Sequence, residues 1–157
     1  MELMNGDIST YEQRFGWRMG EELFEQWTET QGYTLIRLGL SVMIDRGWEL
    51  SPFIRNLPDY ICITPKGRRL VQVKGSYNIK QQEHKLIPDM IKQYQTPHVP
   101  LYYAFCLTGH EPDLMTAQEV YDLYNEREPD LQYKMDGKIY RSLKDIKNDF
   151  SNHPSTP

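Results

Sequence analysis

Two short runs, residues 59–64 and 69–74, constrain the fold more than anything else in this chain. On one parity they place Tyr60, Cys62, Val71 and Val73; on the other, Ile61, Ile63 and Leu70. Strands that are apolar on both sides belong in the interior of a sheet covered by helices on each face. The link Pro65-Lys66-Gly67-Arg68 is rich in turn formers, so the two runs read as a hairpin. A two-residue turn at Lys66-Gly67 pairs Pro65 with Arg68, Thr64 with Arg69, Ile61 with Gln72 and Asp59 with Lys74, and a four-residue loop gives the same pairs. Directly opposed residues share a face with Cβ atoms about 4.5–5.5 Å apart, and residues two apart on a strand point the same way. Asp59, Gln72 and Lys74 are therefore expected together at the open end of the hairpin, and a slip of one residue would scatter them.

Elements around this hairpin follow from periodicity and punctuation. Ser9-Thr10-Tyr11-Glu12 has the pattern of a capping box, opening a helix from about Thr10 to Gln31. Tyr11, Phe15, Met19, Leu23 and Trp27 recur every four residues, joined by Phe24, and Gly16 and Gly20 lie near that stripe, where they would allow close helix–sheet contact. Gly32-Tyr33 ends the helix and 34–38 reads as a strand; residues 39–57 suggest a second strand and a loop. After Gly75 a polar stretch leads to a helix from about Gln81 to Tyr94, which Pro88 should interrupt or begin. Leu101 to Leu107 reads as another buried strand. Thr116-Ala117-Gln118-Glu119 is a second capping box, opening a helix with Val120, Leu123 and Tyr124. Leu131–Lys134 and Lys138–Arg141 would pair around Asp136-Gly137, a good hairpin turn, and a short helix from Leu143 to Phe150 follows. Residues 1–150 form the expected single domain, with 151–157 a flexible tail. The expected class is α/β: a central mixed sheet between helical layers.

Composition removes several alternatives. At 157 residues and 39% hydrophobic, the chain can bury a real core. No apolar run approaches a membrane span, so no membrane partner is expected, and the first seven residues lack the basic start and apolar core of a secretory signal. Cys62 and Cys106 lie in apolar runs and read as buried free thiols, consistent with a reducing, cytoplasmic location. A net charge of −4 argues against a general nucleic-acid coat. A local basic patch is nevertheless present: Lys66, Arg68, Arg69, Lys74, Lys80 and Lys85, with Glu83 the sole acid among them. No histidine has ligand spacing, and His84 and Asp89 read as surface residues. Nucleotide-binding glycine loops and hydrolase elbows are absent.

A carboxylate, an amide oxygen and an ammonium at one point suit a divalent cation held against a phosphate. Mg²⁺ prefers oxygen ligands, and a bound ion both activates water and neutralises phosphate charge. The pattern Pro58-Asp59, twelve residues, then Gln72-Val73-Lys74 resembles the PD-(D/E)XK nuclease superfamily, over roughly residues 10 to 125. This chain departs at Gln72, where Asp or Glu is common, and resembles the Gln-x-Lys variant. The resemblance implies an αβββαβ restriction-endonuclease-like core and a hydrolase acting on DNA. It implies Mg²⁺ (with Mn²⁺ able to substitute) on Asp59, the Gln72 side-chain oxygen, the Val73 carbonyl and a first-helix glutamate. Lys74 would stand beside the attacking water or the scissile phosphate. Glu21, Glu22 and Glu25 are the candidate glutamates; Glu21 is preferred because it lies at the rim of the apolar stripe, eleven residues before Gly32. Gln93-Tyr94 is similar to a Gln and Tyr that some relatives place near DNA.

The expected function is thus a Mg²⁺-dependent deoxyribonuclease, an endonuclease of resolvase-like or restriction-like type. Its catalytic set is Glu21, Asp59, Gln72 and Lys74, and Lys66, Arg68, Arg69, Lys80 and Lys85 face DNA. Cutting both strands would suit a homodimer. A non-catalytic DNA- or protein-binding module on the same fold is the alternative, favoured by Gln72 and the acidic net charge; an unrelated α/β domain would separate Asp59 from Lys74.

Overall fold

A computed structural model describes residues 8–38, 57–126, 132–135 and 138–143, with side chains from residue 19 onward and, after residue 126, only for 140–143. Helix α1 (Ile8–Gln31) leads into strands β1 (Thr34–Arg37), β2 (Tyr60–Thr64), β3 (Gly67–Lys74) and β4 (Asn78–Lys80). Helix α2 (Gln81–Tyr94), strands β5 (Leu101–Phe105) and β6 (Asp113–Thr116), helix α3 (Ala117–Glu126), and strands β7 (Gln132–Met135) and β8 (Lys138–Ser142) complete it. The main sheet runs β1-β2-β3-β5-β6, antiparallel except for the parallel β3–β5 pair; β4, β8 and β7 form a second, antiparallel sheet. This is the expected α/β class, a mixed central sheet flanked by helices, and within it lies the αβββαβ order.

The sheet works as a wall between two cores. Val71 and Val73 on β3, Tyr102, Ala104 and Cys106 along β5, and Leu114 on β6 join Phe24 of α1 in one cluster. The alternate residues Leu101, Tyr103, Phe105 and Met115 join Ile87, Met90 and Tyr94 of α2 and Val120 and Tyr124 of α3 in the other, with Leu70 packed against it. The two-residue period of a strand decides this partition. It also explains why β5 is buried at all five positions.

Several local signals operate as expected. Gly32, at φ 76°, ends α1, with the Tyr33 amide donating to the Thr28 carbonyl at 2.9 Å. The second capping box is complete: the Thr116 amide donates to Glu119 Oε1 at 2.9 Å, and the Glu119 amide donates to Thr116 Oγ1 at 3.1 Å. The late hairpin pairs Met135 with Lys138; its turn at 136–137, the strand expected within 39–57 up to residue 56, and the helix expected from Leu143 to Phe150 beyond residue 143 lie outside the described residues.

Other expectations are corrected. Helix α1 begins by Ile8, ahead of the Thr10 expected from the first capping box, so Ser9 lies inside the helix. Helix α2 runs unbroken through Pro88. A mid-helix proline costs about 3 kcal/mol, and burial of His84, Ile87, Met90 and Tyr94 along one face offsets it. His84 is therefore not a surface residue. Its ring stacks on Tyr124 at 3.9 Å and Tyr121 at 4.4 Å, and burial lowers its pKa, so it packs as a neutral aromatic. Strands β4 and β6 were not anticipated. They are three and four residues long, too short for alternation to register.

Gly20 fixes how α1 meets the sheet. A Cβ there would lie 3.1 Å from the Gly75 Cα and 3.3 Å from the Gly75 amide nitrogen, just past the end of β3. Both are backbone atoms with little freedom to yield. Gly20→Ala should therefore destabilise the protein by about 1–3 kcal/mol in urea unfolding. Intrinsic helix propensity pulls about 1 kcal/mol the other way, so a variant as stable as wild type would show that the contact is loose.

Candidate active site

The hairpin turns one residue earlier than expected. Thr64 pairs with Gly67, Cys62 with Arg69, Ile61 with Leu70 and Tyr60 with Val71, so Pro65-Lys66 is the turn. Proline's fixed φ suits the first central position of a tight turn, and Gly67, at φ 126°, follows the turn as the residue able to take a positive angle. The Thr64 hydroxyl accepts from the Lys66 amide at 3.1 Å and donates to the Gly67 carbonyl, also at 3.1 Å. Moving the turn by one residue shifts every cross-strand pair by two, which preserves parity. Continuing this register past β2 places Asp59 across from Gln72 rather than Lys74. The three polar residues still share the face of the sheet that carries α2 and α3.

Asp59 is held directly. The Val73 amide donates to its Oδ2 at 2.8 Å. In an extended strand the amide and carbonyl of one residue point to the same neighbouring strand, so the Val73 carbonyl also faces the gap beside Asp59. Burial pushes the Asp59 pKa up to about 6; the Val73 hydrogen bond opposes this, Glu21 reinforces it, and Lys74 and Arg37 oppose it. Glu21 thus stands close enough to Asp59 to resist its ionisation. A carboxylate crowded by burial and by a second acid is an environment in which a cation would be welcome. Gln72 adds a second sign: its Oε1 is buried and takes no hydrogen bond.

The first-helix acids separate by partner. Glu25 accepts from the Tyr60 hydroxyl and from Arg37 Nη2 at 2.7 Å. Burial pushes its pKa up, but these two donors outweigh it and the net shift is downward. Arg37 also reaches Glu21 Oε1 at 3.2 Å. Glu22 is exposed. Of the three, Glu21 is the one whose charge acts on Asp59, while Glu25 is engaged with Arg37 and Tyr60.

Lys74 Nζ lies 2.8 Å from Glu83 Oε1, and the Tyr103 hydroxyl donates to Glu83 Oε2 at 3.2 Å. Neither Glu83 nor Tyr103 was singled out from sequence. The signal for Glu83 was its position as the lone acid in a basic stretch. Tyr103 is revealed only by pairing, since the parallel register sets it beside Gln72. Burial first, then Glu83 and Asp59, hold the Tyr103 phenol well above its usual pKa, so it stays a donor.

The expected basic patch does not form one surface. Arg69 is fully buried, on the opposite parity from Gln72 and Lys74; its Nη1 donates to Thr64 Oγ1 at 2.6 Å and its guanidinium lies 5.6 Å from the Tyr102 ring centre. It is a core residue and cannot contact DNA. Lys66 and Arg68 are exposed at the turn, about 20 Å and about 13 Å from Gln72 at 3.3 Å per residue. Lys80 and Lys85, flanking the start of α2, are nearer the Asp59 end. Tyr94 is packed in the core beside exposed Gln93, at the far end of α2. Both cysteines are buried free thiols, as expected, with pKa values pushed up to about 12 by burial.

Among the described residues no three histidine, cysteine, aspartate or glutamate side chains form a ready metal cluster. The oxygen groups that the register and the electrostatics bring toward the Asp59 carboxylate are mixed: the Glu21 carboxylate, the buried Gln72 amide oxygen and the Val73 carbonyl. All are hard oxygen donors, the type that Mg²⁺ and Mn²⁺ take.

Holding Asp59 here costs stability, and the pH dependence has a definite sign. Its folded pKa, about 6, lies above the ordinary aspartate value of 3.8. The stabilising contribution is therefore fully present below about 3.8 and is lost as pH rises through about 6. In metal-free buffer at about pH 7.5, Asp59→Asn should be more stable than wild type by about 1–3 kcal/mol, a gain that shrinks toward zero at about pH 4. Urea unfolding at the two pH values checks this. A variant equally or less stable at neutral pH would show that Asp59 ionises there without penalty.

No protein-family model matches the chain, and no curated protein does. Among solved structures it is similar to Hjc, a Holliday junction resolvase from the archaeal hyperthermophile Archaeoglobus fulgidus, with 14% identity and a TM-score of 0.40, over 83% of this chain and 85% of that one.

Proposed function

We propose that this protein is a divalent-metal-dependent nuclease that hydrolyses DNA phosphodiester bonds, with the Gln-x-Lys form of the PD-(D/E)XK site. The observation that carries this reading is the seating of Asp59 on the Val73 amide at 2.8 Å, which gathers Asp59, Gln72 and Lys74 on one face at the end of the hairpin. Asp59 and Glu21 would hold the ion by their carboxylates, Gln72 by its orphaned side-chain oxygen and Val73 by its carbonyl. When bound, the ion supplies an activated water and positive charge against the phosphate.

The chain's own groups do the rest. The Lys74 ammonium faces the reacting phosphate and offsets the negative charge that grows on its oxygens as water attacks and the P–O bond breaks. Gln72 orients without adding an anion, so the site carries less negative charge than one built on two strand carboxylates, and DNA phosphate completes it. Lys80 and Lys85 are the nearest cations for flanking phosphates; Arg68 and Lys66 would meet the backbone about four and about six base pairs away. Two such sites in a homodimer would cut both strands.

Two outcomes test the reading. Lys74→Ala should keep its circular dichroism spectrum and lose plasmid cleavage with Mg²⁺ by at least roughly 10²-fold; cleavage at the wild-type rate removes Lys74 from the chemistry. Gln72→Glu should bind Mn²⁺ about tenfold more tightly by calorimetry, because a carboxylate replaces a neutral oxygen. Unchanged or weaker affinity removes Gln72 from the ligand set. A non-catalytic DNA-binding module on this fold would instead show wild-type protein that shifts duplex DNA in gels without cutting it in Mg²⁺ or Mn²⁺.

A further inference from the structure

Resting on that reading of the site, we infer that Glu83, braced by Tyr103, is the positioning residue that holds the Lys74 ammonium at the reacting end of the hairpin. Lysine is a flexible point charge that loses considerable rotamer freedom when fixed. Lys74 is nonetheless held: its ammonium lies 2.8 Å from Glu83, and the two side chains are only 20% and 19% exposed. Glu83 is held in turn. Its second oxygen accepts from Tyr103, whose side chain is fully buried on β5. The chain Tyr103–Glu83–Lys74 therefore ties the first turn of α2 and strand β5 to the end of β3.

A glutamate in the first turn of a helix commonly serves the helix itself, through its dipole or by capping. Here both carboxylate oxygens are engaged by side chains from two strands, and among the described residues neither by a backbone amide. The Lys74 ammonium, for its part, has Glu83 as its one hydrogen-bonded partner among the described residues. The contact is thus arranged around the lysine, and the geometry is that of a support behind a functional group.

Two measurements test it. The first needs no activity: in the full chain without metal or DNA, the side-chain NH₃⁺ resonance of Lys74, assigned by its loss in Lys74→Ala, should be visible and slow to exchange. It should disappear in Glu83→Gln and weaken in Tyr103→Phe; a resonance unaffected by Glu83→Gln overturns the inference. The second is kinetic, on plasmid DNA with Mg²⁺. Glu83→Gln should lower kcat roughly 10- to 100-fold with KM changed less than about twofold, as expected for a misplaced group rather than lost binding. Glu83→Asp should recover part of the rate, and Glu83→Gln should cost nothing further on top of Lys74→Ala. Full additivity, or a Glu83→Gln enzyme as fast as or faster than wild type, overturns it. If wild type cuts no DNA with Mg²⁺ or Mn²⁺, the nuclease reading falls, and the resonance experiment still decides whether Glu83 holds Lys74.

Discussion

The parity of the β2–β3 hairpin is the constraint on which this molecule depends. One parity of these strands packs under α1; the other faces α2 and α3. Because the side-chain period is two, a slip of one residue would drive Gln72 and Lys74 into the α1 core and turn Val71 and Val73 toward α2 and α3. The Pro65-Lys66 turn sets the register. The hydrogen bond from the Val73 amide to Asp59 then extends the pairing one step beyond the last ladder residue, with a side chain in place of a backbone carbonyl. Core packing and site assembly are for this reason one decision rather than two.

Around that hairpin the charges are distributed unevenly. On the α1 side, Arg37 joins Glu21 and Glu25 with the Tyr60 hydroxyl, a cluster with donors for its acids. On the α2 side, Lys74, Glu83 and Tyr103 form a second linked set. Asp59 stands between them, with the Val73 amide as the one hydrogen-bond donor to its carboxylate among the described residues and Glu21 opposing its ionisation. Networks that satisfy their members rigidify a site; a group left short of partners stores a cost that a ligand can relieve. At this end of the hairpin the Asp59 carboxylate, crowded by burial and by Glu21, and the orphaned Gln72 oxygen are in that condition, and the continued register sets their residues opposite one another.

Much of this was legible in residue order. The double-faced apolar runs called for an interior hairpin, Gly20 for close helix–sheet approach, and Thr116–Glu119 for a helix start, and each operates through the physics that suggested it. The turn position is legible too, because Pro65 favours the first central position of a tight turn. What misled was treating nearness in sequence as nearness in space. Six cations within twenty residues read as one basic surface, yet alternation buries Arg69 while an extended strand carries Lys66 and Arg68 away from Lys74. His84 is polar by chemical type, yet its spacing to Ile87, Met90 and Tyr94 marks a buried helical face.

Sequence by itself determined which residues share a face, because strand and helix periods are local properties of the backbone. It therefore placed Asp59, Gln72 and Lys74 together even with the pairing offset by two. Only the tertiary structure decided what stands opposite them. The parallel β3–β5 crossover brings Tyr103 beside Gln72, the packing of α2 turns Glu83 onto Lys74, and the close approach at Gly20 sets Glu21 near Asp59. Those contacts join residues 9 to 38 positions apart through the docking of separate elements, and no local period encodes docking.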